Sequence, residues 1–206
     1  MTVRPLRREE IGAAARMLAA AFEDDPLFRW MLPEPEQRSC WLRWFHAHAL
    51  EESVGTGGAY TLEGGAELGA IGSFAPGAWP PPMWQSLAAI ETPPAMPTWR
   101  LVRAGIHVER RIRALHPEGP HVYVYVLGIH PEQKGRGLGG ELMRHAIERA
   151  REAGACLHLE TSNPVNLPFY RRFGLEVREE IVSHRGPPVW TLSTAVLARS
   201  GVPSAP

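Results

Sequence analysis

The chain has 206 residues, 44% of them hydrophobic, with 22 basic side chains balanced by 22 acidic ones. That length and apolar content suit one globular domain with its own core. Zero formal charge removes the electrostatic case for nucleic acid or an anionic membrane as partner, and no uncharged run reaches the roughly 18 apolar residues that span a bilayer.

In chain order, "TVRPL" reads as a short first strand. "REEIGAAARMLAAAF" places Ile11, Ala14, Ala15, Leu18 and Phe22 at helical spacing. "EDDP" breaks that helix, because Pro26 disfavours helical backbone at Asp25. "EPEQRSCWLRWFHAHALEE" predicts a second helix with Cys40, Trp41, Trp44, Phe45 and Leu50 on one side. "GAYTLEG" and "AELGAIGSFA" predict a strand pair. Residues 76–120 are rich in proline and tryptophan and read as an insertion, with a helix in "WRLVRAGIHVERRIRALH". "HVYVYVLGI" is a β-branched and aromatic strand buried on both faces. A glycine turn and a helix to Ala153 follow, then the strand "GACLHLET", the short helix "PVNLPFYRRF", and the strands "LEVREEIV" and "VWTLST". One domain over 1–197 and a mobile tail over 198–206 are expected. The strand–turn–helix–strand unit in the middle should be parallel and right-handed, within an α/β domain. "MTVRPLRREE" lacks the apolar run of a signal peptide, so the cytoplasm is the expected location. Cys40 and Cys156 show neither metal nor redox spacing.

The glycine turn is the most informative stretch. Lys134 to Gly140 holds four glycines and two cations, and Lys134 is the only lysine in the chain. Glycines uncover backbone N–H groups, and a helix start adds unpaired donors and partial positive charge. Together these make a site for phosphate, strengthened by Lys134 and Arg136. Gly135, Gly137 and Gly140 also satisfy the dinucleotide pattern G-x-G-x-x-G, with Glu160 placed as a ribose-binding acid. However, "HPEQK" separates the strand from the first glycine, and too little chain follows Glu160 for the βα units that fold needs. The G-x-x-x-x-G-K-[ST] loop fails because no lysine follows the glycines.

"VYVYVLGIHPEQKGRGLGGELM" resembles the pyrophosphate-binding segment of the Gcn5-related N-acetyltransferases, whose motif is [Q/R]-x-x-G-x-[G/A]. Here it reads Lys134-Gly135-Arg136-Gly137-Leu138-Gly139, with lysine in the first place. Downstream, "LETSNPVNLPFYRRFGLEV" resembles the segment with Asn, then Tyr seven residues on, then a glycine turn into a strand; Asn163, Tyr170 and Gly174 fill those places. Asn166 stands where alanine is commoner. "AAFEDDPLFRWMLP" and "GPPVWTL" add a looser likeness to the branch containing puromycin N-acetyltransferase.

The resemblance implies a mixed, mostly antiparallel sheet around a central parallel β-α-β unit, with helices on both faces. It implies acetyl-CoA as cosubstrate, with its pyrophosphate on Lys134–Gly140 and its pantetheine arm along Leu127, Gly128 and Ile129, which would act as an added strand. A bulge at Gly128 is expected to open the sheet for the thioester. Asn163 and Asn166 are placed toward the coenzyme, and Asn163 also reads as an N-cap before Pro164. Tyr170, read alone, is a core aromatic beside Phe169 and Phe173; the motifs make it the acid toward the coenzyme sulfur.

The base is open. Tyr123 occupies the place where many relatives carry a glutamate, which leaves Glu160, His121 and the acids Glu23, Asp24 and Asp25 as candidates. An acceptor pocket is expected from Asp24, Asp25, Trp30 and Trp79, with Trp84. His46 and His48 diverge on a helix and cannot share an ion, and no metal is expected. The expected partner is a small-molecule amine, with the protein a monomer or homodimer. A non-catalytic acyl-CoA sensor and a protein N-acetyltransferase are the alternatives.

Overall fold

The computed structural model describes residues 1–80, 110–182 and 186–197. Its seven strands are β1 (Val3–Pro5), β2 (Ala59–Leu62), β3 (Gly69–Phe74), β4 (His121–Ile129), β5 (Cys156–Thr161), β6 (Glu176–Ile181) and β7 (Val189–Ser193). They form one sheet in the order β1-β2-β3-β4-β5-β7-β6. Only β4 and β5 pair in parallel; the other neighbours are antiparallel. The mixed α/β sheet expected from the sequence is therefore present.

Five α-helices carry labels here: α1 (Ile11–Phe22), α2 (Pro26–Met31), α3 (Pro35–Gly55), α4 (Leu138–Ala153) and α5 (Leu167–Arg171). On one face of the sheet, Leu142, Met143, Ala146 and Ala150 of α4 pack onto Val122, Val124, Leu157, Leu159 and Leu192. On the other, Ile11, Ala14, Met17 and Leu18 of α1 join Ala49 and Leu50 of α3 over Ala59, Ala70 and Val126. The expected helix through 99–116 is helical at 110–115, and its earlier part, with Trp84 and the tail from 198, lies outside the described residues.

Two expectations need correction. The inward face of α3 is Arg38, Leu42, His46, Ala49, Leu50 and Ser53, while Trp41, Trp44 and Phe45 form a half-buried aromatic strip beside it. Apolar character misled the reading because a charged and a titratable residue take core positions. Arg38 does so by satisfying itself. Its guanidinium donates to the carbonyls of Glu23, Leu32 and Pro33 at 2.9, 2.7 and 3.0 Å and pairs with the Glu23 carboxylate at 3.0 Å.

The bulge, in turn, is not at Gly128. Gly72 faces Val126 and Ser73 faces Val124, so Tyr125 is the extra residue on β4. Gly128 is small for another reason: a Cβ there would stand 2.6 Å from Leu18 of α1. The glycine lets α1 lie close against the far end of β4, well beyond its pairing with β5.

No helix among the described residues is long and apolar enough to cross a membrane.

Candidate active site

β4 and β5 pair only through His121–Tyr123 and Cys156–His158. Beyond that point they diverge, and β4 from Val124 to Ile129 keeps its ladder to β3 alone. A strand edge inside a sheet is thereby left open, with backbone donors and acceptors available to an extended ligand.

At the end of β4, His130 caps a short 3-10 turn over Pro131–Gln133. Gly135 and Gly137 follow with φ of 81° and 80°. This left-handed geometry is strained for any residue with a Cβ. Gly137 is the N-cap of α4, and its carbonyl accepts from the amides of Gly140 and Glu141 at 2.9 and 3.2 Å. The amides ahead of these open the helix, and the helix dipole places partial positive charge there.

A cleft of about 460 Å³ joins the two features. It is lined by Leu127, Gly128 and Ile129 from β4, by Lys134, Gly135, Gly137, Leu138, Gly139 and Gly140 from the turn, and by Asn163, Asn166 and Tyr170 beyond β5. Those positions are the expected coenzyme residues together with Tyr170, the expected acid; Arg136, an exposed residue of the same turn, is outside the lining. The sequence reading did not name Phe22, Gln133, Phe169 or Arg172, which also line the cleft. Arg172 lies over the Phe169 ring at 5.5 Å and adds a second cation to the lining beside Lys134.

Asn163 is a cap as expected: its Oδ1 accepts from the Val165 amide at 3.1 Å. Asn166 donates from Nδ2 to Thr161 Oγ1 at 3.3 Å. These bonds hold the start of α5, and α5 carries Tyr170. The Tyr170 ring is buried, and desolvation together with the charge of Asp25 raises its pKa above the ordinary tyrosine value. Its hydroxyl therefore keeps its proton throughout the neutral range.

Asp25 reaches the same cleft from the other side. Its Oδ1 caps α2 by accepting from the amides of Leu27 and Phe28 at 3.0 and 3.4 Å, and it accepts from the Ser162 hydroxyl at 2.7 Å. Burial is the leading cause that lifts the Asp25 pKa, against the lowering effect of those three donors. Asp24 also lines the cleft, but is exposed and pairs with Arg29 at 3.5 Å. Trp30 and Trp79 are half-buried and stand outside the lining.

Glu160 stands outside the lining too, in a cluster that no sequence motif marks. Tyr123 donates to Glu160 Oε2 at 2.8 Å. His158 Nε2 and His116 Nε2 lie 3.0 and 3.7 Å from Glu160 Oε1. Trp79 stacks on His116 with centroids 4.0 Å apart and planes 8° apart. Burial, helped by the neighbouring His158, His121 and Arg113 charges, lowers the His116 pKa to about 3.

Residues 103–175 match the family model described as Acetyltransferase (GNAT) family. A crystal structure described as histone acetyltransferase HPA2 and related acetyltransferase, from Corynebacterium glutamicum ATCC 13032, matches with a TM-score of 0.66 at 22% identity, over 99% of this chain and 98% of that one. The likeness to that family thus covers the stretch from 103 to 175, and over the whole chain the likeness is one of fold. The same fold is seen in arylalkylamine N-acetyltransferase 2 from Aedes aegypti, with a TM-score of 0.64 at 11% identity over 95% of this chain and 98% of that one. Mycothiol acetyltransferase of Corynebacterium aurimucosum is 38% identical over 60 residues, 28% of this chain and 20% of the relative. The 5-NmdU N-acetyltransferase of Pseudomonas phage PaMx11 is 28% identical over 85 residues, 41% of this chain and 57% of the relative. The chain thus spans about a fifth of the first of these curated relatives and somewhat over half of the second.

Proposed function

We propose that the chain transfers an acetyl group from acetyl-CoA to the primary amine of a small molecule. The observation that carries this reading is one cleft joining an open β4 edge, a cationic glycine turn at a helix start, a protonated tyrosine and a half-buried carboxylate. The residues fit the coenzyme: backbone donors with Lys134 and Arg172 suit a pyrophosphate, and the open edge of β4 suits an amide-bearing arm. Bound acetyl-CoA supplies an acetyl group activated as a thioester.

Two tasks remain for side chains. The amine must reach the carbonyl carbon neutral, and the sulfur that leaves when the C–S bond breaks must be protonated. The ammonium first loses one proton to solvent beside Asp25; as the neutral nitrogen bonds to the carbonyl carbon, Asp25 takes the second proton that nitrogen sheds, a role that a burial-raised pKa favours. Tyr170 gives its phenolic proton to the sulfur. Return of the proton from Asp25 to Tyr170 restores both groups, so the net products are amide and free thiol. The names of the partial relatives, acetyltransferases both, support the reaction class.

The test is release of free thiol from acetyl-CoA across a panel of small amines. Amine-dependent turnover supports the proposal. Coenzyme binding with no turnover on amines or on peptide N-termini would instead make the chain an acyl-CoA sensor.

A further inference from the structure

The Tyr123–His158–Glu160–His116 cluster sits where β4 and β5 still pair, and the acetyl-transfer chemistry above does not use it. Three of its heteroatoms converge: Nε2 of His116, Nε2 of His158 and Oε1 of Glu160 all lie within 4.8 Å of one another. The His158 side chain is 0% exposed, His116 8% and Glu160 11%. None of the three atoms has a hydrogen-bond partner among the described residues, although His158 and Glu160 are only 3.0 Å apart. Buried polar atoms left this way cost stability unless a ligand satisfies them.

The surrounding bonds turn lone pairs toward that point. His121 Nδ1 meets the Gly119 carbonyl at 2.9 Å, so that nitrogen carries the hydrogen. Its Nε2 is then the acceptor, and the His116 Nδ1 at 3.0 Å donates to it. The His116 Nε2 then bears a lone pair facing Glu160. His158 Nδ1 is held at 2.8 Å by the Ser193 hydroxyl, which leaves Nε2 for the centre. Tyr123 occupies the second oxygen of Glu160. Rings fixed through one nitrogen while the other points at a shared centre are the usual setting of metal-bound histidine.

We propose that His116, His158 and Glu160 bind a divalent transition-metal ion of the zinc class through Nε2, Nε2 and Oε1. In a tetrahedral zinc site, bonds of about 2.0–2.2 Å put neighbouring ligand atoms roughly 3.4 Å apart. The separations of 3.0 and 3.7 Å around Glu160 Oε1 bracket that value. Two imidazoles and one carboxylate select zinc or a similar ion over magnesium or calcium, which take oxygen ligands. Trp79, stacked on His116, shelters one side. Such an ion runs against the expectation of no metal, which rested on His46 and His48 and on the spacing of the two cysteines.

Chelator-treated full-length protein is titrated with Zn²⁺ by calorimetry and with Co²⁺ by visible absorption. One ion per chain is expected, unaffected by excess Mg²⁺. Glu160→Gln and His116→Ala should each weaken binding by about 100-fold or more, and Ser193→Ala by roughly 10–100-fold as loss of a ligand's supporting partner. Circular dichroism checks each fold, and His116→Ala, outside the sheet in the segment before β4, decides the matter should Glu160→Gln fail to fold. Absence of stoichiometric binding by the wild-type chain overturns the site. So does binding that survives unchanged in a folded ligand variant. Neither result bears on acetyl transfer, because the readout is binding alone.

Discussion

Ser162 donates its hydroxyl to Asp25 Oδ1 across 2.7 Å, although 137 positions separate the two residues in the chain. The bond ties the loop after α1 to the end of β5, and so fixes a carboxylate against the cleft that Tyr170 shares. If Asp25 receives the amine, Asp25→Asn should keep the α2 cap, since asparagine caps as well as aspartate. It should lower kcat/KM for the amine by roughly 10²–10⁴, the worth of a positioned base, and leave coenzyme affinity near wild type. Amine kinetics beside calorimetric titration with coenzyme A separate the two effects. An unchanged kcat/KM removes Asp25 from the mechanism.

Tyr170→Phe removes one oxygen and keeps the ring in its buried seat. Turnover should fall by roughly 10²–10⁴ with little change in KM for acetyl-CoA. If affinity drops and turnover holds, the hydroxyl serves binding only.

The glycine turn offers a graded test. Gly139 lies in the first turn of α4, and a Cβ there meets Phe169 and Ile129 at ordinary contact distances of 3.5 and 3.6 Å. Gly137 has φ of 80°, so any side chain strains it. Gly139→Val should therefore weaken coenzyme binding with little loss of stability, whereas Gly137→Val should lose both. Titration calorimetry and thermal melts on the pair read this out. Wild-type affinity in the Gly139 variant would move the pyrophosphate elsewhere.

Arg38 pins the stretch from Glu23 to Pro33 that carries Asp25. Arg38→Met fills much of the space and leaves the partners unpaired. A loss of about 3–5 kcal/mol is expected, as for other broken buried ion pairs, measured by urea denaturation. A loss within experimental error would show that water replaces the guanidinium.

His46 is fully buried among Phe22, Phe28 and Phe45, and desolvation lowers its pKa from 6.5 to about 3. Between those values the unfolded chain binds the extra proton, so stability rises with pH and is lost as acid is added below about 6.5. The slope from this group is about 1.4 kcal/mol per pH unit. His46→Phe keeps the aromatic contacts and should flatten the stability curve between pH 6 and 4 by about that much. An unaltered slope would assign the acid sensitivity to other groups.

Much of this was legible in the sequence because it is local. The four glycines of Lys134–Gly140 announced the tight turn that opens α4, and that helix ends at Ala153 as read. Asn163 ahead of Pro164 announced its own cap. What escaped depends on tertiary contact. Arg38 and His46 occupy the inward face of α3, where an apolar count expects tryptophan. The six-residue α2 is too short for periodicity and rests on the Asp25 cap. Glu160 meets His116 and His158 only through the β4–β5 pairing and the end of the segment before β4.

The most direct test of the central claim is mass-spectrometric detection of an acetylated amine, formed from acetyl-CoA by the wild-type chain and compared with Tyr170→Phe. The account predicts product that requires both protein and acetyl-CoA, appears with stoichiometric free thiol, and forms at roughly 10²–10⁴ lower rate in the variant. Equal product from both proteins would contradict the role of Tyr170. Tight coenzyme binding with no acetylated amine, from small molecules or peptides, would contradict the transferase itself.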